Sequence, residues 1–186
     1  MPGRIRIIGG SWRSRRLDVI EAAEVRPTPD RVRETLFNWL QPYIEGARCL
    51  DLYAGSGSLG FEALSRGAAS VTMIEQNMAV SAHLKSQAAK LAAIDIEIVC
   101  ADTSRWMRTC ESRYDIIFLD PPYSQNRSGQ ITGQLLDCHC LRAGTLVYME
   151  SDERLTYNDD RLQPRKSGKA GRVHFGLYEY TERQTS

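Results

Sequence analysis

Cys49-Leu50-Asp51-Leu52-Tyr53-Ala54-Gly55-Ser56-Gly57-Ser58-Leu59-Gly60 is the stretch that decides the fold. Its first five residues read as a short buried strand, and Leu59 to Arg66 carry a helical pattern. Between them, Gly55, Gly57 and Gly60 satisfy G-x-G-x-x-G, the spacing that lets a backbone turn tightly and approach a ligand at a helix N-terminus. Downstream the same alternation continues. Strands are expected at Ser70–Glu75, Ile94–Cys100, Tyr114–Asp120 and Thr145–Glu150, with helices at Asn77–Ala92, Thr103–Cys110 and about Gly129–His139. Strand-helix alternation of this kind predicts an α/β fold with a doubly wound, mostly parallel sheet. Val173–Tyr180 alternates again and is expected at the sheet edge.

Upstream the pattern differs. Arg4 to Ile20 alternates around Gly9-Gly10, which predicts a small β-hairpin. Arg26-Pro27-Thr28-Pro29-Asp30 stops it, with Thr28 a suitable N-cap and Pro29 a suitable first helical residue. Val32, Leu36, Phe37, Leu40 and Ile44 then keep helical spacing, so a helix is expected over 29–44. The expected organisation is a basic β extension over residues 1–27 and one larger domain over 28–186.

Composition narrows the class. With 186 residues, 42% hydrophobic and 25% charged, the chain can build one full core. No apolar run reaches the ~20 residues of a membrane span, and the N-terminal residues lack a signal peptide's apolar stretch, so a soluble cytoplasmic protein is expected. The five cysteines are odd in number and fit no disulfide framework; Cys49 and Cys100 lie in strand-like runs, where a thiol packs. Cys138-His139-Cys140 has no second ligand pair at zinc spacing, so no metal is expected. Net charge is +1, yet Arg4, Arg6, Arg13, Arg15 and Arg16 cluster at one end and Arg161, Arg165, Lys166, Lys169 and Arg172 near the other. Either cluster alone reads as a solvated segment; the two together fit a phosphate-binding face.

The Gly-rich turn admits a dinucleotide or S-adenosylmethionine. Asp51 lies four residues before Gly55, near the carboxyl end of its strand. A carboxylate there repels a pyrophosphate and attracts a sulfonium and an ammonium, so the charge favours the methyl donor. Glu75 and Asp102 end the next two strands, placed for the ribose and the adenine amino group. Asp120-Pro121-Pro122-Tyr123 follows the fourth strand and so joins the same rim. A base amine delocalises its lone pair into the ring and is a poor nucleophile. An Asp carboxylate and a proline carbonyl can accept its two N–H groups in a preset geometry, while a Tyr ring stacks on the base. On the residues alone the acceptor is a flat amine-bearing group. A base in DNA or RNA, a protein glutamine, and a non-catalytic RNA-binding module all remain open.

Asp51 to Ala68, Asp120 to Tyr123, Arg6-Ile7-Ile8-Gly9-Gly10 and Arg26 to Phe37 together resemble the bacterial RsmD family of 16S ribosomal RNA guanine-N2 methyltransferases, across nearly the whole chain. The resemblance implies a Rossmann-like class I methyltransferase sheet with a small N-terminal β-hairpin extension. It also implies methyl transfer to a guanine 2-amino group, with 16S rRNA in a partly or fully assembled small ribosomal subunit as partner. Asp51, Tyr53, Ala54, Gly55, Ser56, Gly57, Glu75, Asp102 and Thr28 are then expected to hold the cofactor. Asp120, Pro121, Pro122 and Tyr123 would hold the guanine, and Arg4, Arg6, Arg13, Arg15, Arg16, Arg33 and Lys169 the RNA. The family commonly has Phe at position 53 and Ala at position 58, mild departures that leave the loop chemistry intact. The polar stretch 124–130 is expected to form a loop over the base.

Overall fold

The computed structural model describes residues 3–20, 28–121, 128–151 and 159–182. In chain order the elements are β1 (Arg4–Arg6), β2 (Arg16–Asp18), α1 (Asp30–Leu40), β3 (Arg48–Asp51), α2 (Ser58–Ser65), β4 (Ser70–Glu75), α3 (Met78–Leu91), β5 (Ile96–Cys100), α4 (Thr103–Met107), β6 (Ile116–Leu119), α5 (Ser128–Leu136), β7 (Leu146–Ser151), β8 (Leu162–Ala170) and β9 (Val173–Tyr180). β1 and β2 form the expected antiparallel hairpin; the other strands form one seven-stranded sheet ordered β5-β4-β3-β6-β7-β9-β8. β5 through β7 run parallel, and β9 pairs antiparallel with both β7 and β8. The chain reverses its direction of winding between β3 and β6, and such a switch point opens a crevice at the carboxyl ends of the strands.

Strand alternation sorts the core into two layers. Cys49, Val71, Met73, Ile116, Phe118 and Tyr148 face a cluster with Val32, Leu36, Phe37 and Leu40 of α1, Phe61 of α2, and Val80 and Leu84 of α3. Their neighbours Leu50, Ile74, Ile117, Leu119, Val147 and Met149 face the other layer, with Met107, Ile131 and Leu135. The apolar side of the hairpin joins the first layer through Ile7 and Leu17, both essentially buried. Burial of two such side chains contributes roughly 3–6 kcal/mol towards holding the extension on the core.

Polar groups fix the hairpin more specifically. Glu62 on α2 is fully buried, and its carboxylate accepts from the N–H groups of Ile8 (2.7 Å) and Gly9 (2.8 Å) and from Arg66 Nε (2.7 Å). Ser65 Oγ accepts from Trp12 N–H and donates to the Gly9 carbonyl. Gly10, at φ +76°, lies so close to the Ser65 carbonyl that a Cβ would sit 1.7 Å from its oxygen; the contact requires glycine.

Several expectations are corrected. The first helix starts at Asp30 with Pro29 in the cap position, so Thr28 is not its N-cap, and it stops at Leu40. β9 is internal to the sheet; the edge belongs to β8, which the basic sequence 161–172 concealed. β8 has one buried residue, Leu162, and carries Pro164 at a register irregularity, as suits a solvent-facing edge. Cys100 is exposed, and Cys138 and Cys140 are joined by a disulfide that the sequence reading did not foresee. Among the described residues no helix is long and apolar enough to cross a membrane.

Candidate active site

The crevice is built by the carboxyl ends of β3, β4 and β6 and by the loops that leave them. After Asp51 the chain turns through Leu52 to Gly57, pinned by Leu52 N–H to the Phe118 carbonyl (3.1 Å) and Ala54 N–H to the Ile74 carbonyl (3.0 Å). Gly57 takes φ +74° as the N-cap of α2, and a Cβ there would meet Phe61 and Leu84 at 2.6–2.7 Å. The loop therefore closes against the first layer with no room for a side chain at Gly57, and of residues 55–57 Gly55 is partly exposed.

Carboxylates hold this loop. Asp51 is buried and accepts from the backbone N–H groups of Tyr53 and Gly60; burial nevertheless pushes its carboxyl up to about 7, with nearby Glu75 adding to the shift. Glu75 accepts from Gly55 N–H (3.0 Å) and Asn77 N–H (2.7 Å). Asp102 caps α4, accepting from Arg105 N–H at 2.8 Å, and remains exposed. Tyr53 is half-buried between this cap and the loop, hydrogen-bonded to Thr103. Thr103 in turn donates to the Leu52 carbonyl at 2.6 Å. Asp51 and Glu75 thus both hold the backbone of the loop. A small cleft beside Gly55 and Ser56 is completed by Asp18, Val19 and Ile20 of the extension and by Val80 and His83 of α3.

The arrangement fits S-adenosylmethionine. Asp51, Glu75 and Asp102 line the three strand ends with carboxylate, and a buried Asp51 that resists ionisation gains a partner when a cation enters. Pyrophosphate would face the same carboxylates with the opposite sign.

Asp120 follows β6 across the switch point from Asp51. Burial pushes its carboxyl well above the usual range, the nearby carboxylates of Glu150 and Asp51 add to this, and a hydrogen bond from Thr28 opposes it. Thr28 Oγ1 donates to Asp120 Oδ2 at 3.4 Å, which places Thr28 beside Asp120. Pro121 is partly exposed beside it; Pro122 and Tyr123 lie outside the described residues. Of the polar stretch 124–130, residues 128–130 open α5 and the rest lies outside the described residues. Glu150 was missed. It is the last residue but one of β7, on the same rim, accepts from Tyr148 Oη at 2.7 Å, and could have been found by the rule that selected Glu75 and Asp102.

Arg4, Arg6, Arg13, Arg15, Arg16 and Lys169 are exposed. Arg33 is not an RNA ligand: it is fully buried, bonded to the Arg6 carbonyl (2.9 Å) and Asp30 (2.6 Å), with Glu62 3.8 Å away. Arg161 and Arg165 are engaged by Asp159 and Glu179 respectively.

Comparison with known proteins places these observations in context. The model of the family described as conserved hypothetical protein 95 matches residues 5–179. Ribosomal RNA small subunit methyltransferase D of Escherichia coli K12 is 45% identical over 179 residues, covering 95% of this chain and 90% of the relative. The Haemophilus influenzae protein of the same name is 38% identical, covering 95% and 94%. A solved structure described as the putative methyltransferase yhhF from Escherichia coli superposes with a TM-score of 0.87 at 41% identity, over 97% of this chain and 100% of that one.

Proposed function

The chain belongs to the ribosomal RNA small subunit methyltransferase D family, and on that premise we propose that it is a transferase that methylates the 2-amino group of a guanine in 16S rRNA, using S-adenosylmethionine. The observation that carries the reading is Asp120 at the mouth of the switch-point crevice, opposite the Gly-rich loop and held by Thr28. When bound, S-adenosylmethionine supplies an electrophilic methyl group on a sulfonium. Asp51, Tyr53, Ala54, Gly55, Ser56, Gly57, Glu75 and Asp102 form its binding surface.

On the acceptor side, Asp120 and the Pro121 carbonyl take hydrogen bonds from the guanine amine, and binding of the same base is the role proposed for Pro122 and Tyr123. The amine is aimed so that its lone pair can become tetrahedral as the new N–C bond forms. Proximity of this kind is worth up to roughly 7–11 kcal/mol of barrier. Asp120 need not be a strong base, because the methylated amine is cationic and sheds its proton readily. The target base must be unpaired or flipped to enter. Residues 28–186 carry this chemistry. The extension over 1–27 presents Arg4, Arg6, Arg13, Arg15 and Arg16, joined by Lys169 of β8, to RNA phosphates. The substrate is a partly or fully assembled small ribosomal subunit, so rRNA processing in the cytoplasm is the setting.

Transfer of a labelled methyl group to small subunits, free 16S rRNA and duplex DNA tests the reading. Label is expected in the rRNA of small subunits; equal labelling of duplex DNA contradicts it.

A further inference from the structure

The fold gathers three cysteines that the methyl-transfer pocket does not use. Cys110 follows α4; Cys138 and Cys140 follow α5. Ligand atoms of all three lie within 4.8 Å of one another. Their connections precede β6 and β7, so the cluster sits at the amino ends of these strands, on the rim opposite Asp120. The sequence offered one Cys-x-Cys pair; the third sulfur arrives only because α4 and α5 pack side by side, with Ser104 donating to Gln134 at 2.7 Å.

From this geometry we infer that Cys110, Cys138 and Cys140, when reduced, form a three-thiolate site for one soft, thiophilic ion of the Cu(I) class. Sulfur ligands select soft ions, and three of them satisfy Cu(I). Zn(II) in a structural site wants four ligands, and the described residues offer three. The surroundings suit a metal-bound sulfur. Cys110 and Cys140 are buried, with Met107, Tyr114 and Leu141 in the same apolar layer, which keeps water away. Cys140 N–H donates to Cys138 Sγ at 3.2 Å, a backbone bond of the kind that steadies a charged sulfur. The Arg48 guanidinium lies 5.5 Å over the Tyr114 ring, and Tyr114 N–H is bonded to the Cys140 carbonyl; Arg48 favours a Cys110 thiolate, with Glu111 and Glu97 acting against it.

Loading converts three thiols and Cu(I) into a tris-thiolate complex and three protons. The Cys138–Cys140 disulfide is the alternative, closed state. Two thiols and one glutathione disulfide give the protein disulfide and two molecules of glutathione, and that reaction removes two of the three ligands. The ion would staple the ends of α4 and α5.

The test is a Cu(I) titration of the anaerobically reduced full-length protein against a chromophoric Cu(I) chelator. One ion per chain is expected, with a thiolate-to-copper band in the near ultraviolet and a higher Tm. Cys110→Ser and the partly exposed Cys138→Ser should each weaken binding at least 100-fold, whereas Cys100→Ser should match wild type. Protein oxidised with glutathione disulfide should not load until it is reduced. If Cys110 is intolerant of change, Cys138→Ser gives the same reading. Cys110→Ser or Cys138→Ser binding as tightly as wild type overturns the inference, as does a reduced wild type that yields all its copper to the chelator.

Discussion

Thr28 Oγ1 donates a hydrogen bond to Asp120 Oδ2 at 3.4 Å, joining residues 92 positions apart and tying the entry to α1 to the acceptor side of the crevice. The bond favours the ionised carboxylate, against burial and against the charges of Glu150 and Asp51. It opposes the burial that favours the protonated form.

Thr28→Val should therefore raise the Asp120 pKa further. In a kcat–pH profile the acid limb, where activity rises as Asp120 ionises, should move to higher pH. An unmoved limb would separate Thr28 from Asp120 function.

Asp120→Asn keeps the shape and loses the charge. Methyl transfer is expected to fall at least 100-fold, about 2.7 kcal/mol of transition-state stabilisation. Cofactor affinity measured by calorimetry should stay within a few-fold of wild type. Lost cofactor affinity would move Asp120 to the other side of the crevice.

Asp51 carries a sharper pH prediction. Its carboxyl is pushed up to about 7 from an ordinary 3.8, so the folded state holds the proton more tightly than the unfolded chain. The stabilisation is complete below the unfolded value and is lost as pH rises through about 7; its size is on the order of 4 kcal/mol. Relative to Asp51→Asn, the cofactor-free protein should lose stability between about pH 4 and 7 in denaturant titrations. S-adenosylmethionine should bind more tightly across the same window with release of a proton, and Asp51→Asn should abolish that linkage.

Glu62→Ala would leave the N–H groups of Ile8 and Gly9 and Arg66 Nε without their buried acceptor, and the buried Arg33 without the carboxylate 3.8 Å away. A destabilisation of roughly 3–5 kcal/mol is expected, read by chemical denaturation.

Arg13, Arg15 and Arg16 changed together to Ala should raise KM for small subunits and leave cofactor affinity alone. Each lost phosphate contact should lower the salt dependence of RNA binding by about 0.7–0.9 in log–log slope.

The parallel half of this fold was legible because short apolar stretches alternate with helical patterns: β6 is wholly apolar, Cys49-Leu50 and Val71 to Ile74 centre β3 and β4, and β4 runs over Ser70–Glu75, the range read from the sequence. β8 was not, because an edge strand facing solvent has no apolar pattern to read; its basic side chains look like a loop. The placement of Asp51, Glu75, Asp102 and Asp120 at or just after strand ends was legible. Placement was not legible where long-range packing decides. Arg33 reads as a surface cation, yet it is fully buried, bonded to Asp30 and the Arg6 carbonyl with Glu62 nearby. Thr28 reads as a cap, and its partner is Asp120.

The central claim is that this crevice methylates a guanine amine in small-subunit rRNA. The most direct measurement incubates small subunits with the protein and labelled S-adenosylmethionine, digests the 16S rRNA, and identifies the labelled nucleoside and its position by mass spectrometry. N2-methylguanosine is expected at a single position, absent with Asp120→Asn. Label in N6-methyladenosine, in protein glutamine, or in no nucleoside at all would contradict it.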